Sequence, residues 1–201
     1  MKLFESIFLI TATAGLSQLA KAQVSTDRNY VIKNEMKKPG VTTQAQIDAL
    51  TQTDKMQQVG YFDGLGRPLQ SITTWGSTTA KDIITPVEYD GYGREIKKFL
   101  PYVDAGTAYG SLRSSAYSDQ LNFYNPNTAP ANGIPGDINP FSQTFLEFSP
   151  FNRPLEVGAP GQSWQPGSGH VTKQFFFAQY SRGKHTQMDH WLYCRGNTFH
   201  C

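Results

Sequence analysis

The phrase YFDGLGRPLQSI at residues 61–72 returns at residues 88–99 as EYDGYGREIKKF and, more loosely, at residues 147–158 as EFSPFNRPLEVG. Aligned on Phe62, Tyr89 and Phe148, each copy has an aromatic closing one strand, a four-residue turn, an Arg and, two positions later, an aliphatic residue. In the first two copies the turn is Asp-Gly-x-Gly: Asp63, Gly64 and Gly66, then Asp90, Gly91 and Gly93. These residues tolerate the positive φ that a tight reversal demands. The third copy uses Ser149-Pro150-Phe151-Asn152, with Asn152 able to take the left-handed conformation. Arg67, Arg94 and Arg153 start the return strands, which Leu69, Ile96 and Leu155 anchor. One grammar spelled three times reads as a structural repeat of hairpins.

Alternation agrees with this reading. Val87 and Tyr89 flank Glu88, Leu146 and Phe148 flank Glu147, and Leu155 and Val157 flank Glu156, which predicts one apolar and one charged face. Turn formers and aromatics are abundant and long Leu/Ala/Glu/Lys runs are missing, so the expected class is all-β: short antiparallel hairpins, one or two short helices and long loops. Ahead of the repeats, RNYVIKNEM reads as a strand and TTQAQIDALTQTDK as a helix. Thr42 or Thr43 caps it, Ala45, Ile47, Ala49 and Leu50 supply its apolar side, and residues 48–52 carry it on. Between the second and third hairpins, Pro126, Pro130, Pro135 and Pro140 mark a long loop, with a helical turn or two over residues 114–124. Such a loop either binds something or wraps a sheet edge.

The N-terminus carries Lys2, an apolar stretch over residues 7–19 and an Ala20-x-Ala22 pattern, the form of a secretory signal cut after Ala22. The expected organisation is a signal peptide over residues 1–22, a β-rich domain over 23–178 and an atypical tail over 179–201. Export to the periplasm, cell surface or medium follows, with membrane contact only through the signal. The mature chain is nearly neutral, so no nucleic-acid partner is expected.

The repeats also contain residues that could do chemistry. Asp63 and Asp90 share Asp and Gly with calcium loops but lack the alternating carboxylates and the final Glu, which favours turn-forming Asp. The three Arg residues either line a groove for an anion or pair with turn carboxylates and neighbouring rings. Trp75 and Trp164, read as exposed, are candidate ligand platforms for sugars, against the commoner use of aromatics as core. No catalytic motif occurs, and His170 sits alone in a Gly-rich turn. His185, His190, Cys194, His200 and Cys201 cluster in the tail at intervals that match no zinc pattern. The expectation is no catalytic residue, no metal and no cofactor.

The phrases VGYFDGLGRPLQSI, VEYDGYGREIKKFLPY and FSQTFLEFSPFNRPLEVGAPGQSWQPGSGH resemble the N-terminal domain of unknown function that opens secreted bacterial RHS-repeat (YD-repeat) proteins. The resemblance covers residues 29–178. It implies an exported, non-enzymatic scaffold at the start of a larger protein whose later repeats form a β-sheet shell, sometimes around a toxin. The implied partner is that shell, in the same polypeptide. The tail departs from the family, and a reading-frame slip explains both its His and Cys content and the truncation. The alternative reading is a glycan-binding or adhesion module at the cell surface.

Overall fold

The computed structural model describes residues 23–129 and 133–176. The expected signal peptide, the last residues of the expected domain and the tail with its His and Cys cluster lie outside the described residues. Among the described residues the architecture is one antiparallel sheet of nine strands with two short α-helices, an all-β fold. In chain order the elements are β1 (Asn29–Met36), α1 (Gln44–Ala49), β2 (Lys55–Phe62), β3 (Pro68–Thr74), β4 (Ile83–Glu88) and β5 (Lys97–Phe99). They continue with β6 (Tyr102–Val103), α2 (Ala116–Phe123), β7 (Phe141–Leu146), β8 (Pro154–Gly158) and β9 (Thr172–Lys173). The strand order is β1-β2-β3-β4-β5-β7-β8-β9, with β6 extending β4 on the side of β5.

Register explains the core. Val59 pairs with Ile72, Ile72 with Ile84 and Ile84 with Tyr102, so one buried row crosses β2, β3, β4 and β6. Residues directly opposite one another share a face, so the row forms a continuous apolar rib. Each large side chain in it contributes roughly 1.5–3 kcal/mol of burial. The next row along is Tyr61, Gln70 and Pro86, also buried. The long connection between β6 and β7 covers this face, with Ala116 and Phe123 of α2 packed against the rib.

Buried polar side chains tie that cover down. Tyr61 donates its hydroxyl to the Gly110 carbonyl at 2.7 Å and accepts from the Ser25 amide. Gln70 both accepts from the Arg113 amide and donates to the Arg113 carbonyl. Gln120 donates to the Pro140 carbonyl at 2.6 Å. Asp82, almost wholly buried, accepts from the amides of Trp75 at 3.1 Å and Gly110 at 2.6 Å, joining the β3–β4 turn to the covering loop. The loop therefore wraps a face of the sheet.

Three sequence expectations are corrected. The first helix stops at Ala49, with Leu50 already extended, although Thr43 and Gln46 form the full capping box. Beyond it Thr51, Thr53 and Asp54 bond one another, and such short polar side chains favour turns over continued helix. In the second hairpin the return strand begins at Lys97, not at Arg94, and the Ile96 carbonyl accepts from Thr144 of β7.

The third correction concerns the alignment of the repeats. Leu146 pairs with Pro154 before the same one-residue bulge that follows the Phe62–Pro68 pair. Leu146, not Phe148, therefore takes the place of Phe62. Phe148 sits inside a turn two residues longer than the others and is fully exposed, so the apolar face expected at Leu146 and Phe148 is not formed there.

Replacing Asp82 with Ala leaves two buried amides without an acceptor. Chemical denaturation is expected to show a loss on the order of 3 kcal/mol.

Candidate functional site

Because strands alternate in direction, the three repeat turns all lie at the same end of the sheet. Each is closed by one device. The Asp63 amide donates to the Arg67 carbonyl at 2.9 Å, and Gly66 takes a φ of +77°. One carboxylate oxygen of Asp63 accepts from the amides of Leu65 and Arg67, at 2.9 and 2.8 Å. The other accepts from Arg67 Nε at 2.7 Å. Asp90 repeats this with Tyr92 and Arg94 at 2.9, 2.9 and 2.7 Å, and Gly93 again lies at +77°.

The third turn divides the work of one Asp between two residues. Its closing pair is the Glu147 amide with the Arg153 carbonyl, at 2.9 Å. The Ser149 hydroxyl accepts from the Phe151 amide, while Glu147 reaches from two residues earlier to accept from Arg153 Nε at 2.8 Å. Ser149 also donates to Glu147, and Asn152 holds the left-handed position at a φ of +51°. Sequence reasoning placed Glu147 on an open charged face. The signal for its true role is the two-residue shift in strand register, visible only once β7 and β8 are paired.

The arginines do a second job. With Nε held at home, the guanidinium groups of Arg67 and Arg94 reach the neighbouring hairpin and that of Arg153 reaches the segment after β9. Arg67 lies over the Tyr89 ring at 4.5 Å, and Tyr89 returns a hydrogen bond to the Pro68 carbonyl. Arg94 donates to the Asn152 side chain in the third turn. Arg153 lies over Phe176 at 4.5 Å. Extended by three residues toward the turns, the β8–β9 register sets Arg153 opposite Phe176 as the β3–β4 register sets Arg67 opposite Tyr89. Within their own turns Arg94 stacks on Tyr92 and Arg153 on Phe151.

These contacts bear on both chemical readings. The oxygens of Asp63 and Asp90 accept from their own amides and arginines, which leaves no calcium-like arrangement. Among the described residues no group of three His, Cys, Asp or Glu side chains could hold a metal. Hydrogen bonds from the backbone of Arg67 and of Arg94 lower the pKa of Asp63 and Asp90 respectively. Hydrogen bonds from the side chains of Arg153 and Ser149 hold Glu147 down at about 2.

The two tryptophans stand apart from the turns. Trp75 is half-buried rather than exposed: it takes a left-handed φ of +51° and packs against Tyr109 at 5.3 Å, because Asp82 fixes its amide. Trp164 is half-exposed and packs against His170, whose ring nitrogen bonds the Ser163 carbonyl. The structure does not bring Trp75 and Trp164 together.

Two measurements test the turn device. A carboxylate with a depressed folded-state pKa adds stability above its unfolded value, near 4.5 for Glu147, that is lost as pH falls toward about 2. Urea midpoints are therefore expected to fall across that window, and Glu147→Gln to flatten the part due to this group. Gly66→Ala is expected to cost about 1 kcal/mol, from the left-handed φ alone. Gly93→Ala costs more, because the new Cβ would lie 2.7 Å from Arg67 Nη1 and push Arg67 off Tyr89.

No curated protein and no solved structure matches this chain. The family model of DUF6443, a domain of unknown function, matches residues 34–177, which span β2 through β9 and the last part of β1. The chain belongs to the DUF6443 family.

Proposed function

We propose that this protein is an exported, non-enzymatic scaffold, the opening module of an RHS-type (YD-repeat) surface or secreted protein. The observation that carries this reading is the sideways reach of the arginines. Arg67 engages the second hairpin, Arg94 the third, and Arg153 makes on Phe176 the same contact, in the same register, that Arg67 makes on Tyr89. The pattern is a series, and β9 is its next incoming strand.

Further support comes from where the reactive groups are spent. The turn acids and arginines bond each other, and the buried Asp82 and Gln70 bond backbone, so their chemistry is used to hold hairpins and their cover in place. Among the described residues β9 is an edge strand, with the exposed Phe175 beyond it, and an edge strand presents backbone groups to a further strand. The partner in this reading is the following repeat shell of the same polypeptide.

Joining the chain to the polypeptide encoded downstream of it is expected to raise the melting temperature and suppress aggregation. A monodisperse, cooperatively melting monomer that gains nothing from the extension would overturn the proposal.

A further inference from the structure

The turn geometry places no demand for an apolar side chain on the residue before the left-handed one. Leu65, Tyr92 and Phe151 each donate an amide to the turn, to Asp63, Asp90 and Ser149, and only Tyr92 and Phe151 add a ring face to the arginine of their own turn. All three are nevertheless large and apolar, and 79–82% exposed. Phe148, which the longer third turn carries outward, is fully exposed. Neighbouring turns are two strands apart in one sheet, so their tips form a line with steps of about 10 Å. Gly64 and Gly91 have open space where a side chain would stand, so little bulk separates the tips.

Charge at this edge is sorted by depth. The Asp63, Asp90 and Glu147 side chains are 14–17% exposed, whereas those of their partners Arg67, Arg94 and Arg153 are 31–45% exposed. Within each turn pair the guanidinium is thus the outer partner and the carboxylate the inner one. Apolar and aromatic tips in front of exposed arginines complement a layer of phosphates over a hydrocarbon interior.

We propose that this ridge docks on a phospholipid surface. Leu65, Tyr92, Phe148 and Phe151 enter the interfacial layer, and Arg67, Arg94 and Arg153 meet the phosphates. The inference stands on the turn tips alone and does not depend on the scaffold reading.

The test is co-sedimentation of the full chain with sucrose-loaded vesicles of phosphatidylcholine, with and without phosphatidylglycerol. It is compared with the variant carrying Leu65→Ser, Tyr92→Ser, Phe148→Ser and Phe151→Ser. All four sites are exposed and only the two arginine–ring contacts are lost with them, so the melting temperature is expected to fall only slightly, while partition falls by roughly tenfold or more. Phosphatidylglycerol is expected to strengthen binding of the unaltered chain. The N-terminal apolar stretch is common to both proteins, so their difference reports the ridge. Equal partition of the two, or no partition of the unaltered chain, would overturn the proposal. So would a dimer or a soluble-glycan complex that the variant abolishes, since the ridge would then serve that partner.

Discussion

The fold depends on a carboxylate that satisfies a turn and an arginine at the same time. A four-residue reversal leaves amides pointing inward, and an unpaired amide is costly to keep. Asp63 and Asp90 each take two such amides and the arginine Nε, so one side chain closes the hairpin and fixes the direction of the guanidinium. The remaining guanidinium groups are then aimed sideways. Closing a hairpin and joining it to the next are consequences of a single placement.

The core follows a different logic. A rib of Val59, Ile72, Ile84 and Tyr102 makes one face apolar, but a single sheet cannot bury a face by itself. The chain supplies the missing layer from the connection between β6 and β7, which is rich in polar residues. Tyr61, Gln70, Asp82 and Gln120 supply the fixed points, each meeting a backbone group of that connection or of the turns beside it. A buried polar residue that finds a backbone partner specifies where a loop must lie, which apolar contact alone leaves loose. Toward β8 and β9 this cover thins, and Phe145 and Phe175 stand exposed.

Much of this was legible in the sequence because the turn chemistry is local. Asp-Gly-x-Gly and Asn152 announce positive φ, and Gly66, Gly93 and Asn152 adopt it. Thr43 and Gln46 announce a helix start, and the capping box is there. In the third hairpin Phe148 matches Phe62 only in residue type. Strand register, which depends on the partner strand, places Leu146 there instead. Trp75 misled for a similar reason, since its ring finds Tyr109 thirty-four positions along the chain.

By itself the sequence determined the all-β class and the three reversals, since both rest on contacts a few residues apart, whereas the alternation expected at Leu146 and Phe148 and at Leu155 and Val157 gave no buried face, Phe148 and Val157 being exposed. Tertiary structure alone decided that Glu147 replaces an Asp, that each arginine engages its neighbour, and that a polar loop becomes half of the core. Those outcomes require strands and loops distant in sequence to lie side by side, and only the folded sheet settles which ones do.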